Sequence, residues 1–339
     1  MTAITHALAN GYVILALKIG VLLILLPATL VLGWAELKAG AHMQHRLGPM
    51  YAGGFHGWAQ TLADGIKFIM KEDLIPTEAD SFVFQLVPFI TMLSAALIFV
   101  VIPVGPHLVI ENLDVGLFFL LAASSIGVIG VLMAGWSSSN KYSLLGALRA
   151  AAQLIAYELP LVLSAAAVAM MAGSLSLVDI VNAQGPASAN GWWVPFIFYQ
   201  PVAFFIFVAA ATAELTRPPF DMPVAEAELI TGAFTEYTGI RFAFSLFASE
   251  YISMIGLSAV GATLFMGGYL PPIPALQFIP GVIWFLLKTS TILFVLIWIR
   301  WTFPRLREDQ LQKFAWKVLI PLALVNILLT GALKLTPWF

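Results

Sequence analysis

The stretch 213–251 has the sequence AELTRPPFDMPVAEAELITGAFTEYTGIRFAFSLFASEY and connects two long apolar segments, 195–214 and 240–266. Six of the 18 acidic residues of the chain lie in it: Glu214, Asp221, Glu226, Glu228, Glu236 and Glu250. Because carboxylates are costly near hydrocarbon, a cluster of them between apolar segments indicates a route for protons or ions. The alternative is that the 221–236 part is a solvated acidic loop. That interpretation does not account for Glu250, which lies inside an apolar helical pattern.

The composition around this stretch is that of a membrane protein. Of the 339 residues, 60% are hydrophobic and 10% are charged, and long apolar runs recur along the whole chain. The net charge of −2 offers no basic tail or patch, so we expect no nucleic-acid partner. The absence of cysteine excludes disulfides, thiolate metal ligands and cysteine-bound Fe–S clusters carried by this chain alone. We also predict no metal site at the three histidines between 42 and 56, because their spacing fits none of the usual ligand patterns.

Eight segments are long enough to cross about 30 Å of hydrocarbon at 1.5 Å per helical residue. They are 10–34, 82–104, 116–135, 147–172, 195–214, 240–266, 280–301 and 315–337. We therefore predict an all-α membrane protein in which residues 1–339 form a single integral membrane domain. The first run has no basic segment before it and no small-residue cleavage site, so we expect it to be retained as a helix.

The basic residues alternate between successive connections. Thirteen of the 16 lie in or beside the connections near 36–80, 136–146, 215–239 and 302–314, whereas 105–115, 173–194 and 267–279 contain none. By the positive-inside rule the first set is cytoplasmic. With an even number of spans, both termini then lie on the outer, periplasmic side.

A further segment, FHGWAQTLADGIKFIMKE at 55–72, is amphipathic and too polar to span. Phe55, Trp58, Leu62, Ile66 and Ile69 share one helical face, and the polar residues fall on another. We predict a helix lying in the cytoplasmic interface. It either rests on lipid headgroups or forms the wall of a site that opens at the interface.

Two acidic residues lie deep in predicted spans. Glu158 is about 16 Å along the fourth span, and Glu250 is about 15 Å along the sixth. Intramembrane carboxyl groups are usually functional, although a structural hydrogen bond or ion pair between helices is the alternative. The neighbouring run 217–223, RPPFDMP, cannot form regular helix because its prolines lack the amide donor, so we expect a structured cytoplasmic loop.

Arg46 precedes a Gly-Pro turn just ahead of the amphipathic segment. An arginine at this place can bind a lipid headgroup, pair with the acidic loop, or contact a polar ligand head. Glu226 and Glu228, two residues apart, would point in different directions from a helix and so serve different surfaces or line a wide cavity.

Six motifs, in order along nearly the whole chain, resemble those of one family. They are QHRLGP (44–49), QTLADGIKFIMKED (60–73), GWSSSNKYSLLGALRAAAQLIAYE (135–158), AELTRPPFDMPVAEAEL (213–229), TEYTG (235–239) and PRLREDQLQKFAWK (304–317). The family is that of the H subunit of bacterial NADH:quinone oxidoreductase, respiratory complex I, and its mitochondrial counterpart.

The resemblance implies a subunit in the bacterial inner membrane with eight spans and an interfacial helix. It would form part of the quinone chamber and couple quinone reduction to proton translocation. Quinone is then the substrate, while NADH, FMN and Fe–S clusters belong to partner subunits and no cofactor is bound by this chain. The implied partners are the hydrophilic quinone-site and Fe–S subunits, the small membrane subunits, the antiporter-like subunits and membrane lipid.

The resemblance also implies roles for residues at matching motif positions. The implied chamber or loop residues are Arg46, Asp64, Lys67, Arg217 and Asp221. The implied proton-coupling path is Glu158, Glu214, Glu226, Glu228, Glu236 and Glu250. No residue is implied to be catalytic on this chain alone.

Several positions depart from the family pattern. Val224 stands where the family carries an acid, which removes a carboxylate from the loop beside the chamber. Leu37 stands where the family has arginine, and Met50 where it has asparagine. Glu308 stands where the family has tyrosine.

Two other functions remain open from the residues alone. The first is the membrane subunit of an energy-converting hydrogenase, against which the intact PFD loop and TEYTG weigh. The second is a stand-alone secondary transporter, which predicts an internal repeat or paired broken helices. The 213–250 motif has no repeat in the other half of the chain.

Overall fold

The computed structural model describes residues 11–185, 194–222, 230–273 and 276–335, and within them the regular structure is helical. The helices before residue 185 are α1 (Gly11–Leu23), α2 (Leu25–Met43), α3 (Gln60–Met70), α4 (Ser81–Leu97), α5 (Gly116–Ser137), α6 (Lys141–Ala172) and α7 (Leu177–Ala183). Those after it are α8 (Phe196–Tyr199), α9 (Pro201–Glu214), α10 (Gly239–Phe242), α11 (Ser249–Phe265), α12 (Gly281–Thr302), α13 (Glu308–Phe314) and α14 (Ile320–Lys334).

Seven helical stretches among the described residues are long and apolar enough to cross a membrane. They are Leu15–Met43, Ser81–Val100, Gly116–Ser137, Lys141–Ala172, Gly239–Phe265, Gly281–Thr302 and Glu308–Lys334. Each corresponds to a predicted span, so the all-α membrane fold is confirmed. The predicted fifth span differs, because its apolar helix α9 has only 14 residues, about 21 Å. The first stretch also continues past the predicted end at residue 34, which brings Glu36 into the helix.

Helix α6 is the longest helix and lies at the centre of the packing. It packs against α5, α9 and α14. The Asn140 side chain caps its start by accepting from the Tyr142 amide at 2.9 Å, and Gly173 ends it with a φ of 78°. Its buried face is rich in alanine, serine and glycine, which allow close approach of neighbouring helices. The surface of the bundle carries many exposed large apolar side chains, as a lipid-facing surface requires.

The TEYTG segment is folded onto the ends of α4, α5 and α6. The Tyr237 ring stacks on Phe84 with centroids 4.0 Å apart, and its hydroxyl donates to the Phe84 carbonyl at 3.2 Å. Burial raises the pKa of Tyr237 to about 12, so the hydroxyl stays a donor at neutral pH. This part of the connection between α9 and α11 is therefore structured.

The amphipathic segment forms a short 3₁₀ turn, Phe55–Gly57, followed by α3. It is shorter than the predicted 55–72 because His56 has a φ of 56° and Lys71 is extended. The predicted apolar face is exposed, for example at Trp58 and Ile69. On another side, Thr61 donates to the Leu30 carbonyl of α2 at 2.9 Å. An exposed apolar face on a helix held against a span is what an interfacial helix presents to lipid.

Candidate functional site

A cavity of about 130 Å³ lies between α4, α5, α6, α9 and α11. Three carboxyl groups line it, those of Glu158, Glu214 and Glu250. The rest of its polar lining consists of hydroxyl groups: Thr91, Ser94, Ser124, Ser125, Thr216, Ser245, Ser249 and Ser253. Carboxyl and hydroxyl groups both donate and accept protons, and a polar cavity of this size holds several water molecules.

Two buried polar atoms at this cavity have no hydrogen-bond partner among the described residues. They are Oε2 of Glu214 and Oγ of Ser245. Buried polar atoms are nearly always hydrogen-bonded to protein or to water, so we expect both atoms to bind water in the cavity. The carboxyl group of Glu214 also faces the hydroxyl of Ser124.

The backbone that enters α11 is a π-helix, Ala243–Ala248. The Ser249 hydroxyl donates to the Ser245 carbonyl at 2.5 Å within this stretch. Single π turns inside α-helices are rare and are frequently found at functional sites. Here the π turn ends two residues before Glu250, and its residues Ser245 and Leu246 line the cavity.

Arg217 lies next to the cavity and is held between two carboxylates. Its Nη1 donates to Glu36 Oε2 at 2.9 Å, and its Nε donates to Glu250 Oε1 at 2.5 Å. Arg300 donates to the other oxygen of Glu36. The Arg217 guanidinium also lies 5.0 Å from the ring centroid of Tyr251, within cation–π range. We call Glu36, Arg217, Glu250 and Arg300 the four-charge cluster.

The four-charge cluster is electrically balanced and mostly buried. The side chains of Arg217 and Glu36 are 3% and 4% exposed, while those of Glu250 and Arg300 are 22% and 35% exposed. Burial by itself would lower the pKa of Arg217, but the carboxylates of Glu250 and Glu36 outweigh it and hold the pKa above its usual range. Arg217 therefore remains a cation whose counter-charges come from two different helices.

The irregular loop predicted at 217–223 is confirmed for 217–222, none of which is helical. Helix α9 ends at Glu214, and Thr216 has a φ of 52°. The Pro218–Pro219 bond is cis. The turn closes where the Phe220 amide donates to the Arg217 carbonyl at 2.8 Å. This path carries the chain from the cavity at Glu214 to the four-charge cluster within three residues.

The structure brings together three of the six residues assigned to proton coupling. Glu158, Glu214 and Glu250 share the cavity. Glu236 instead lines a separate cleft beside Asn140, whose Nδ2 donates to its Oε1 at 2.6 Å. Glu226 and Glu228 lie outside the described residues.

The residues assigned to the chamber do not form one cluster. Arg46 is exposed and donates to Gln44. On α3, Lys67 pairs with Asp64 at 2.5 Å, and that lysine is largely exposed. Arg217 lies in the four-charge cluster, and Asp221 follows it in the loop. Arg46 and Lys67 therefore face outward from this chain, whereas Asp64 is half-buried beside Lys67.

Sequence reasoning missed Glu36 and Arg300 as site residues. The first span was predicted to end at residue 34, which put Glu36 in a loop, and Arg300 was counted only as a topological charge. A signal was present: a helical apolar pattern continues from residue 34 toward Met43 around the single acid Glu36. An acid inside a spanning helix is a functional candidate in its own right.

Three of the four residues that depart from the family pattern lie in the described part of the chain, and their contacts are local. Leu37 is an exposed apolar residue beside Glu36. The Sδ of Met50 accepts from Lys38 Nζ at 3.1 Å. Glu308 lies 3.6 Å from Arg149. Val224 lies outside the described residues.

No group of three or more His, Asp or Glu side chains that could hold a metal ion occurs in the described part of the chain. The donor set of the site thus consists of carboxyl, hydroxyl and guanidinium groups.

Comparison with known proteins gives consistent results. The family model described as NADH dehydrogenase (NADHdh) matches residues 17–331. The H subunit of NADH-quinone oxidoreductase from Bacillus thuringiensis subsp. konkukian (strain 97-27) is 49% identical over 300 residues, covering 88% of this chain and 87% of the relative. The proteins of the same name from Bacillus cereus (strain AH187) and Bacillus anthracis (strain A0248) match with the same identity and coverage. The chain belongs to the NADH dehydrogenase family, that of the H subunit of NADH-quinone oxidoreductase.

Proposed function

We propose that this chain is the membrane subunit of a proton-pumping NADH:quinone oxidoreductase that helps to form the quinone chamber and couples quinone reduction to proton translocation. The observation that supports it best is the 2.5 Å ion pair between Arg217 and Glu250. Arg217 matches a chamber position of the family, and Glu250 lines the acid-rich cavity. A charge change at the chamber therefore has a direct contact through which to reach the cavity.

The membrane plan that we propose has eight spans. The fifth consists of α8 and α9 together, which cover residues 196–214 with a break at Gln200, about 28 Å if helical throughout. Both termini lie on the periplasmic side of the bacterial inner membrane, because the basic residues concentrate in the other set of connections. The interfacial helix α3 then lies at the cytoplasmic surface.

The quinone chamber in this proposal uses Arg46, Asp64, Lys67, Arg217 and Asp221 from this chain. Because Arg46 and Lys67 face outward, the chamber is completed by the hydrophilic quinone-site and Fe–S subunits. Its entrance opens toward lipid near α2 and α3. The exposed apolar face of α3 suits the isoprenoid tail of a quinone, while the polar residues suit its head.

Coupling begins at the four-charge cluster. Negative charge that develops on a quinone near Arg217 attracts the guanidinium and weakens its hold on Glu250. Glu250 then takes up a proton from the cavity, since an unpaired buried carboxylate is unfavourable. Glu214 and Glu158 line the same cavity, so a change of charge at Glu250 acts electrostatically on both of them. Glu226, Glu228 and Glu236 continue the path on the cytoplasmic loop.

The other parts of the reaction belong to partners. NADH, FMN and the Fe–S clusters are held by hydrophilic subunits, and this chain binds no cofactor of its own. The small membrane subunits and the antiporter-like subunits receive the coupling signal on the far side of the cavity.

Neutralising the cavity acids tests the proposal. We expect Glu158→Gln and Glu214→Gln to lower NADH:quinone turnover and proton uptake together by about tenfold or more, because a positioned proton carrier is worth at least that much. Electron transfer to a hydrophilic acceptor and the amount of assembled complex should stay normal. Glu111→Gln, the same change on an exposed outer-loop residue, is the matched control. Wild-type turnover and proton uptake in both cavity variants would refute the coupling role.

A further inference from the structure

The amide side chain of Gln153 on α6 connects α6 to the loop that joins the cavity to the four-charge cluster. We propose that Gln153 is a positioning residue of the coupling machinery: it holds the backbone on both sides of Glu214 and Arg217, and so keeps those side chains in place. This inference rests on the proposed function, because positioning has meaning only if those two residues act in coupling.

The geometry of Gln153 is that of a two-point clamp. Its Nε2 donates to the carbonyl of Ala213 at 2.7 Å and to the carbonyl of Phe220 at 2.6 Å. The residue is 1% exposed, so water does not compete for these bonds. Both protons of one amide group are used, and the two acceptors lie immediately before and after residues 214–219.

The loop backbone supplies only part of the donors that these carbonyls need. The Ala213 carbonyl accepts from the Thr216 amide at 3.1 Å, whereas no backbone amide of the described residues donates to the Phe220 carbonyl. The last carbonyls of a helix have no partner within the helix, and the Ala213 carbonyl belongs to the last turn of α9. Pro218 and Pro219 follow, and neither has an amide hydrogen. A buried carbonyl left unsatisfied costs free energy comparable to a lost hydrogen bond. Gln153 thus adds a second donor to the Ala213 carbonyl and supplies the donor for the Phe220 carbonyl, which ties both ends of the loop to α6.

One helical turn further along α6, Tyr157 reinforces the clamp. Its hydroxyl donates to the Leu311 carbonyl of α13 at 3.0 Å, and its ring lies 5.1 Å from that of Phe220. Phe220 in turn stacks on Phe314 with centroids 6.2 Å apart. Residues four apart share a helix face, so one face of α6 holds the loop against α13.

The hydrogen bonds of Arg217 tolerate only a small displacement of the loop that the clamp holds. Arg217 donates at 2.5 Å to Glu250 and at 2.9 Å to Glu36, and hydrogen bonds of this kind weaken steeply when the atoms separate or misalign. A displacement of about 1 Å far from the reacting atoms can cost about a hundredfold in rate. The bonds that Gln153 makes run to backbone atoms, so it acts on both residues through the loop.

The variant Gln153→Met, which has a similar shape but no donors, tests this inference. We expect NADH:quinone turnover to fall about tenfold. Electron transfer from NADH to a hydrophilic acceptor and the amount of assembled complex should stay normal. The matched control is Gln312→Met. Gln312 also donates to a carbonyl of α6, that of Ala152 at 3.2 Å, but this bond is exposed and does not run to the loop backbone. The control should retain wild-type turnover.

A double variant separates positioning from general stability. If Gln153 acts through the Arg217–Glu250 pair, Gln153→Met should change turnover by less than about twofold when Glu250→Gln is already present. A general structural defect would instead multiply with the effect of Glu250→Gln, and that result would overturn the inference. Wild-type turnover in Gln153→Met would overturn it as well.

The outcomes for the inference and for the proposed function are distinguishable. Wild-type coupling in Glu250→Gln alone would contradict the proposed function, whereas a coupling defect there with none in Gln153→Met contradicts the inference only. If Gln153→Met does not assemble, the comparison is made with Gln153→Glu, whose protonated form keeps one donor and should show a smaller loss. Failure of both variants to assemble would show that Gln153 serves folding, and the positioning role would be wrong.

Discussion

Replacing Glu36 by glutamine is expected to unbalance the four-charge cluster and to uncouple the subunit. The native cluster holds two carboxylates and two guanidinium groups, so its net charge is zero when all four are ionised. In Glu36→Gln the cluster carries one positive charge. Arg217, which is 3% exposed, then keeps Glu250 as its single counter-charge in the cluster.

The size of the effect follows from the geometry. At 2.9 Å and an effective dielectric constant of about 20, the Arg217–Glu36 attraction is about 6 kcal/mol. Part of it survives, because glutamine still accepts a hydrogen bond and Glu250 remains. Removing one partner of a buried ion pair costs about 3–5 kcal/mol, and we take the lower end because Arg300 is 35% exposed and screened by solvent. At 1.4 kcal/mol per tenfold, about 3 kcal/mol corresponds to about a hundredfold.

We therefore expect NADH:quinone turnover in Glu36→Gln membranes to fall by about a hundredfold. The assay measures NADH:quinone turnover, NADH-dependent reduction of a hydrophilic acceptor, and the amount of assembled complex in the same preparation. Only the first should change. An assembled Glu36→Gln complex with turnover within about twofold of wild type would refute the electrostatic reasoning.

The charge-balanced double variant is the internal control. Glu36→Gln combined with Arg300→Gln leaves the Arg217–Glu250 pair alone, and the cluster is neutral again. Groups in one ion-pair network couple by about 0.5–3 kcal/mol, so we expect the double variant to be about fivefold more active than Glu36→Gln. If the two single losses multiply instead, charge balance does not govern the cluster.

The remaining predictions concern orientation and the chamber. Because the chain has no cysteine, single cysteines can be labelled selectively: His107→Cys should react with an impermeant reagent in intact cells, and Lys141→Cys only in inverted vesicles. The opposite labelling pattern would reverse the membrane plan. Arg46→Ala and Asp64→Asn should lower NADH:quinone turnover about tenfold without changing electron transfer to a hydrophilic acceptor. The Asp64–Lys67 pair, in which Lys67 is 71% exposed, contributes at most about 1 kcal/mol, so assembly should be normal. A parallel loss of both activities would make these residues structural.

Much of the fold could be predicted from local sequence. The apolar runs specify helices of spanning length because every backbone polar group in a bilayer must be satisfied within its own segment. The amphipathic face of 55–72 and the non-helical path of 217–222 were predicted for equally local reasons, namely side-chain periodicity and the missing amide hydrogens of proline. The fifth span was harder to delimit, since the break at Gln200 divides an apolar run that looks continuous in sequence.

The residues assigned to proton coupling from motifs were only partly placed together by the fold. Glu158, Glu214 and Glu250 were expected to belong together, and the cavity unites them. Glu236 lies on the same stretch 213–251 as Glu214 and Glu250 but faces Asn140 in another cleft. The spacing of acidic residues along a loop does not predict which side of the bundle each side chain faces, because that depends on how the loop packs.

The sequence by itself therefore determined that this is a helical membrane protein of a recognisable family, with acids inside its apolar segments. Only the tertiary structure decided which charges neutralise one another. Arg217 meets Glu36 across 181 positions of the sequence, and Arg300 meets it across 264. Gln153 reaches its two carbonyls across 60 and 67 positions. The physical reason is that hydropathy and helix periodicity act over one or two turns, whereas a buried charge is stabilised only by the partner that helix packing brings within about 3 Å.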